Sequence, residues 1–476
     1  MTASSGGRIP WGAAALAALT AVSWAFIAMV GVAALGLELL GADDVGALGP
    51  MTAAVVVLAT GGSVTPSGDV EVFGLVGADA ASAVDIAPLG VSVVGALLLG
   101  GVFLRSLRAA GAVIPLAELA VRAGAMAVLF VMFLVGLCWV GNDTVTIDGS
   151  GLGLDDAAPR DGGLLDRLPD ELGDLVELGG GLLPSRIAEL ARAQAHVGYS
   201  VDTGPSLLGG AVWVLIVLGI ALLVSRRGPL PRGWEALHRT VRPAASALCA
   251  VLLLAIGAGL ATAVFAAIDD DHPALVLGAA LLGAPNGVGL GVPLGLFVPW
   301  HGSATGALRS VLPDPLDDLL STGGDRSITI GRLAELDGRV WLLVVACVLM
   351  MLAAGVLTGA RTPLPPGRRE PGYGFAGWCA LRLGVATAVT LPLAVWLTGL
   401  SAGASLSVLG FDAFGAGIDL HGSIPLALLL GAAWGAAAGG AGALLVWVTG
   451  VAGTGASALA RASEPATARV STRHGG

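Results

Sequence analysis

The chain lacks lysine altogether and carries little charge of either sign. Charged residues make up 12% of its 476 residues and hydrophobic residues 55%, whereas a typical soluble domain is roughly 25% charged. Without lysine, a phosphate-binding loop of the Gly-x-x-x-x-Gly-Lys-Ser/Thr type cannot form. A chain this apolar cannot bury its hydrophobic residues in one soluble core, so the composition predicts a membrane protein.

Cysteine and histidine are also scarce. The four cysteines lie singly inside or beside apolar runs, which argues against a disulfide framework or a paired-cysteine metal site. The six histidines have no ligand-like spacing, and the net charge of −10 has the wrong sign for nucleic-acid binding. We therefore expect no enzymatic site and no catalytic residue, metal, cofactor or nucleic-acid partner; for Asp269–His272 an acidic helix stop is favoured over a metal site.

Long apolar runs dominate what is present. A helix of ~20 residues crosses a ~30 Å hydrocarbon core, and eight runs are about that long or longer. The first follows Arg8 and exceeds the ~7–15 residues of a signal-peptide core, so we expect it to remain uncleaved. The eight predicted spans are 11–38, 86–104, 115–140, 206–225, 243–268, 339–358, 379–400 and 424–450.

Arginine and carboxylate residues segregate into alternate loops. Arginines cluster after the second, fourth and sixth runs, whereas carboxylates cluster at Asp43/Asp44, at Asp269–Asp271 and after Asn142. Short cytoplasmic loops of membrane proteins are enriched in arginine and lysine. The alternation predicts a multi-pass plasma-membrane protein whose N- and C-termini are cytoplasmic and whose contacts include membrane lipids.

Two further apolar stretches are ambiguous. Residues 48–62 are short for a span, and residues 274–300 are long enough but contain Pro285-Asn286-Gly287 at the centre. If both crossed, two arginine groups would lie outside, so the charge pattern favours two re-entrant or broken segments. Ten spans with an irregular charge bias is the alternative.

The order of elements repeats along the chain. Each half contains a helix, an acidic stop, a broken apolar segment, a polar loop, a helix, an arginine-rich loop and a helix pair. We therefore predict an all-α polytopic transmembrane helix bundle of about eight spans plus two re-entrant or broken segments, in two parallel repeats. The predicted parts are a first four-helix half at 1–227 with an outside loop at 141–205, a cytoplasmic linker at 228–242, a second four-helix half at 243–450, and a disordered cytoplasmic tail at 451–476.

The outside connections contain short alternating runs flanked by glycine, at Ser63–Ser67, Asp143–Asp148, Ser327–Ile330 and Ser405–Val408. Such runs could pair as a small hairpin cap on the outer face. Irregular glycine-rich loops are an equally good interpretation. His421, with the serines of 403–407, resembles a serine–histidine pair only loosely, and loop sequence is the preferred interpretation.

Two sets of residues are candidates for a site or a contact. Pro285, Asn286 and Gly287 could expose backbone and amide groups to a substrate at membrane depth, although Pro-Asn-Gly also favours an ordinary turn. Gly431, Gly435 and Gly439 lie on one face of the last span and predict close helix packing. Packing within the chain is favoured over a dimer interface.

Six segments resemble the streptophobe family, hydrophobic membrane proteins of streptomycetes and relatives. They are Leu183–Ile187 (LPSRI), Val197–Thr203 (VGYSVDT), Pro229–Arg239 (PLPRGWEALHR), Ala284–Gly287 (APNG), Leu294–Trp300 (LGLFVPW) and Gly331–Arg339 (GRLAELDGR). The resemblance covers nearly the whole chain to about residue 450 and implies no assigned activity. The Pro-Asn turn and the glycine-rich run after it are also similar to PerM-like actinobacterial cell-division membrane proteins.

Two functions remain open at the level of sequence. The repeat and the broken segments favour permease-like transport of a small molecule. The lack of charge at the centre of the spans and the acidic loop favour a non-transporting envelope scaffold that binds a protein partner through 150–196.

Overall fold

The structure is a computed structural model that describes residues 11–44, 46–69, 78–85, 87–110, 114–141, 143–147, 195–225, 240–305, 327–364, 372–408 and 411–456. Most of the outside loop at 141–205, the linker from 228 to 239 and the tail from 457 lie outside these residues. So does the 150–194 part of the proposed partner-binding segment.

Helices account for most of the described chain, which confirms an all-α polytopic bundle. Nine of the helices in the described part are long and apolar enough to cross a membrane, and each of the eight predicted spans coincides with one of them. The helices are α1 (Trp11–Leu39), α2 (Leu48–Ala59), α3 (Leu89–Ala110), α4 (Leu116–Val140), α5 (Thr203–Val224), α6 (Arg242–Ala266), α7 (Pro273–Gly295), α8 (Ile330–Leu336), α9 (Trp341–Arg361), α10 (Gly372–Leu397) and α11 (Ile424–Val448).

The outer surface of the long helices is apolar. Trp139 is 84% exposed and Leu254 is 71% exposed, and every long helix has at least one exposed leucine, valine or tryptophan side chain. Contiguous apolar surface of this extent is rare on soluble monomers. It suits lipid as the surrounding solvent.

Strands join the helices on one side of the bundle. They are β1 (Val64–Asp69), β2 (Ala78–Asp85), β3 (Asp143–Ile147), β4 (Ala195–Val201), β5 (Trp300–Thr305), β6 (Ser327–Ile328), β7 (Leu400–Val408) and β8 (Phe411–Gly422). They pair in the order β3-β4-β1-β2-β7-β8-β5-β6. Each of the four alternating runs therefore contributes to a strand, as in the hairpin-cap interpretation, although in Ser327–Ile330 only Ser327 and Ile328 do so and Ile330 begins α8. We call this side the sheet face and the other side the arginine face.

Two halves repeat the same plan. The described elements run helix, apolar helix, strand pair, helix, helix, strand pair, helix in 11–224 and again, with the short α8 added, in 242–448. Corresponding helices point the same way, since both α3 and α9 begin at the sheet face. The first half has one buried apolar cluster and the second half has its own. Antiparallel pairing of β2 with β7 joins the halves.

The α7 helix differs from expectation in one respect. It continues through Pro285-Asn286-Gly287, with Pro285 and Pro293 inside it, so the expected break is wrong. Proline removes one N–H and crowds the carbonyl four residues earlier, here that of Leu281. That carbonyl packs on Gly90 so closely that a Cβ there would collide with it. The neighbouring helix thus accommodates the carbonyl that Pro285 leaves without its helical partner.

The chain on either side of α7 nevertheless lies toward the sheet face. The helix before it, α6, starts at the arginine face, where Arg242 Nη2 donates to Leu222 O at 2.9 Å. Its 25 residues reach about 37 Å at ~1.5 Å per residue, so α6 ends at the sheet face, six residues before α7 begins. After α7 the chain enters β5, which belongs to the sheet.

The contacts of α7 follow a path that enters the bundle and returns. Its middle touches the sheet-face end of α3 through Asn286. Its end reaches deeper, where Leu296 O accepts a hydrogen bond from Trp434 Nε1 at 3.2 Å. Phe297 then reverses the chain with a φ of 69°, the one positive φ among the described non-glycine residues. This path fits the predicted re-entrant segment, although length alone places α7 among nine possible spans.

The α2 helix is the counterpart of α7 in the first half. Its 12 residues extend about 18 Å at ~1.5 Å per residue, which is short of a ~30 Å core. Val56 and Val57 are fully buried, and β1 begins five residues after α2 ends. The helix therefore enters the bundle from the sheet face without crossing it.

Candidate functional site

A cleft opens between the two halves at the sheet face. It consists of two adjoining cavities of ≈ 590 Å³ and ≈ 410 Å³. Both are lined by Ala87, Gly399, Leu400 and Leu420, so residues of both halves form their shared wall. Each volume lies in the ~300–1,000 Å³ range of small-molecule sites.

Asn286 lies in the wall of the smaller cavity and fastens the halves together. Its Nδ2 donates to Ala87 O at 2.7 Å, and its Oδ1 accepts from Leu89 N at 3.0 Å. An asparagine amide has two donor hydrogens and two acceptor lone pairs. The amide nitrogen therefore keeps one donor hydrogen, and the amide oxygen one lone pair, for a ligand. The other hydrogen and the other lone pair are used at the junction.

The other two residues of the predicted trio differ from each other in whether they line the cleft. Gly287 lines the smaller cavity, whereas Pro285 is buried in α7 and is absent from the linings of both cavities of the cleft. The structure thus brings Asn286 and Gly287 to the cleft. The turn that Pro-Asn-Gly would favour is not formed.

The larger cavity carries the polar groups of the cleft. His421 Nδ1 lies 3.1 Å from Asp419 Oδ1, and the His421 ring stacks on His301 with centroids 5.6 Å apart. Ser401 stands opposite Asp419 across β7 and β8. These side chains offer a carboxylate, imidazole nitrogens and a hydroxyl to a polar ligand.

Sequence reasoning did not bring these polar side chains together, because their proximity depends on strand register. Asp419 and His421 share a face of β8 because they are two residues apart, and β5 brings His301 opposite His421. The alternation of the 417–422 segment was the only available signal. Among the described residues, no group of three or more His, Cys, Asp or Glu side chains is placed to hold a metal ion.

The predicted packing glycines all face α10. A Cβ at Gly431 would lie 2.6 Å from Thr387 O, one at Gly435 2.7 Å from Leu383 O, and one at Gly439 2.7 Å from Cys379 O. The helix axes approach closely because no side chain separates them. Gly442, on the other side of α11, packs in the same way on Gly355 of α9, a contact that the sequence pattern did not reveal.

A second cavity opens sideways between α6, α7 and α9. Its volume is ≈ 860 Å³, and its lining includes Val251, Leu254, Gly283, Gly287 and Met350. The hydroxyl in this lining, that of Thr262, donates to Ala258 O at 2.9 Å. We call this cavity between α6, α7 and α9 the lateral groove.

Arginines fasten helix ends at the arginine face. Arg122 pairs with Glu118 at 2.9 Å, and Arg361 Nη1 donates to Ser246 Oγ at 3.1 Å. With Arg242 on Leu222 O, they tie α5, α6 and α9 together. These residues serve packing at the end of the bundle remote from the cleft.

No protein-family model matches the chain, and neither a curated protein nor a solved structure is detectably similar to it. The resemblance to the streptophobe family and to PerM-like proteins therefore stays an expectation from the segments that carry it.

Proposed function

We propose that this integral membrane protein is a permease-like carrier of a small molecule that binds in the cleft between its halves. The observation that carries the proposal is the position of the cleft: it lies at the junction of two parallel repeats, beside a helix that enters the bundle and after which the chain returns to the same face. Secondary transporters commonly bind substrate between structural repeats, next to discontinuous helices.

The polar groups of the cleft favour a polar or charged substrate. Asp419, His421 and Ser401 line the larger cavity, and Asn286 lies in the wall of the smaller one. Few convergent polar groups in an otherwise apolar cavity fix the orientation of a ligand. All four groups belong to the second half, whereas the first half contributes Leu58, Gly61 and Ala87 to the wall. Movement of one half against the other would draw that wall away from the polar groups and release the substrate.

We further propose that the sheet face is extracytoplasmic and that the protein lies in the plasma membrane with both termini inside. Arg105, Arg108 and Arg361 end helices at the arginine face, whereas Asp43, Asp44 and Asp269–Asp271 lie near the sheet face. Positive charge in short loops marks the cytoplasmic side. Arg332 and Arg339, at the sheet face, flank one of the longest connections, where this rule is weak.

Coupling to protons is not part of the proposal. Within the described spans most charged side chains lie toward the ends, as Glu118 and Arg122 do in α4. Arg382 lies further along α10 and contacts Thr362, just after the end of α9. Proton-driven carriers place ionisable groups at membrane depth. The arrangement therefore favours facilitated movement down a gradient.

The test compares small-molecule content in cells that lack the protein and cells that express it, by mass spectrometry of cell extracts and medium. Gly399→Leu should block the cleft without a clash, because a Cβ there meets its nearest atom at 3.5 Å. The matched control is Gly331→Leu on exposed α8, where a Cβ meets nothing within 4 Å. We expect wild type and Gly331→Leu to restore the same compounds and Gly399→Leu and Asn286→Ala to fail.

Identical profiles in deletion and wild-type cells would rule out transport. The scaffold alternative predicts another pattern: a co-purifying envelope protein that is lost when residues 150–196 are removed. That segment is almost entirely outside the described residues, so the alternative rests on its acidic sequence alone.

A further inference from the structure

The lateral groove is about as long as one membrane leaflet is thick. Its lining on α6 extends from Val251 to Ala263, about 18 Å at ~1.5 Å per residue. One leaflet of a ~30 Å hydrocarbon core is roughly 15 Å thick. The groove begins near the middle of the bundle, beside Met350, and ends near the sheet face.

The groove opens toward lipid. Leu254 in its lining is 71% exposed and Leu349 is 59% exposed, so its mouth lies on the apolar outer surface. Acyl chains are the medium that this surface meets in a membrane. The one hydroxyl inside, on Thr262, already donates to the backbone, so hydrocarbon could fill the groove without leaving that group unpaired.

Small residues create the empty space. Gly283 and Gly287 lie one helical turn apart on α7, and a Cβ at either would meet nothing within 4 Å. This distinguishes them from the glycines of α11, which lie against a neighbouring helix. Here the missing side chains leave a furrow instead of a helix contact.

Charge marks the end of the groove at the sheet face. The loop between α6 and α7 carries Asp269, Asp270 and Asp271, all exposed. It follows Ala263, the last groove residue of α6, by six residues. Carboxylates at this position would attract a cationic group just beyond the hydrocarbon and would repel an anionic one.

We propose that the lateral groove binds an acyl chain of a phospholipid from the leaflet at the sheet face, and that Asp269–Asp271 select an amine-bearing headgroup. The length of the groove, its apolar lining and the charge at its end agree on this single occupant. The proposal concerns a site on the outer surface of the bundle and does not depend on transport through the cleft.

The test is native mass spectrometry of the purified full-length chain with phosphatidylethanolamine or phosphatidylglycerol added. We expect phosphatidylethanolamine to bind about fivefold more tightly, the order expected for charge pairs at a solvated surface. Gly287→Leu should fill the groove and remove most of the bound lipid. Asp269→Asn, Asp270→Asn and Asp271→Asn together should abolish the preference while lipid still binds.

The matched control is Gly257→Leu, on the exposed side of α6 away from the groove, where a Cβ also meets nothing within 4 Å. It should retain wild-type lipid binding. Gly283→Leu is a second groove-filling variant, and a single symmetric peak in size-exclusion chromatography shows that each variant is folded. Equal binding of the two lipids by the wild type, or undiminished binding by both groove-filling variants, would overturn the proposal.

Discussion

Asn286 shows how one side chain can serve both the junction and the cleft. Sequence placed it in an apolar segment where its amide needed partners, and the structure supplies them from the other half of the chain, at Ala87 and Leu89. The identity of these partners could not be predicted, because they lie about 200 residues away. The need for partners could be predicted, because a buried amide without them is costly.

Asn286→Ala should therefore destabilise the protein. It leaves Leu89 N–H and Ala87 O without their partner. The cost is at most about 1–3 kcal/mol for each group, the range for fully buried groups, because both hydrogen bonds are only partly buried. Thermal unfolding in detergent measures the effect as a lower midpoint. The control is Gly287→Ala, next to it in α7, which should raise stability by up to ~1 kcal/mol through helix propensity; equal midpoints for the two variants would contradict this role of Asn286.

Gly439 and Gly440 form a matched pair in α11. A Cβ at Gly439 would lie 2.7 Å from Cys379 O, whereas one at Gly440 meets its nearest atom at 3.8 Å. Gly439→Ala should cost about 1–3 kcal/mol, the usual range for overpacking, and Gly440→Ala should cost little. Unfolding midpoints of the two variants provide the comparison. If Gly440→Ala were as unstable as Gly439→Ala, the contact with α10 would not be the cause of the lost stability.

At the scale of elements, long apolar helices were predictable and the course of α7 was only partly so. Eight spans follow from hydrophobic length, because lipid imposes it. The break expected at Pro285 did not form, because a proline inside a membrane helix is tolerated where a neighbour can approach, and Gly90 permits that approach. The return of the chain to the sheet face was indicated by arginine distribution alone, a signal independent of helix geometry.

Gly90→Ala tests the contact between α3 and α7. Its Cβ would collide with the carbonyls of Leu281 and Leu282, which are backbone atoms and cannot rotate away. We expect a loss of about 1–3 kcal/mol, measured by thermal unfolding. Gly101 lies on the same helix, and a Cβ there would meet nothing within 4 Å, so Gly101→Ala should have no such cost. If Gly101→Ala destabilised the protein equally, the loss would come from a change in helix α3 and not from its contact with α7.

At the scale of the whole molecule, the repeat of elements was visible in the sequence, whereas the strand order was not. Hydrophobic length and loop charge recur in both halves, so the plan could be predicted. The pairing of β2 with β7, which joins the halves, depends on register between segments more than 300 residues apart. The cleft is a product of that pairing. For this reason Asn286 could be predicted from its own segment, whereas the grouping of Ser401, Asp419 and His421 could not.

Separate apolar cores imply that the halves can assemble as two chains. Co-expression of residues 1–235 and 236–476 should give a complex that co-purifies through a tag on one half, since each half has its own buried cluster. Asn286→Ala should weaken the complex roughly thirtyfold by removing two hydrogen bonds across the junction, each worth roughly 1 kcal/mol. Failure of the wild-type halves to co-purify would mean that folding of one requires a covalent link to the other.

Cysteine accessibility tests most directly the claim that α7 enters and leaves the bundle on one face. Asp270→Cys and Ser303→Cys, both at exposed positions flanking α7, are made in a chain whose four native cysteines are replaced by alanine. Arg108→Cys marks the arginine face. With a membrane-impermeant maleimide on intact cells, we predict labelling at 270 and at 303 but at 108 only after permeabilisation. Labelling of one flank of α7 in intact cells, and of the other only after permeabilisation, would show that α7 crosses the membrane and would contradict the account.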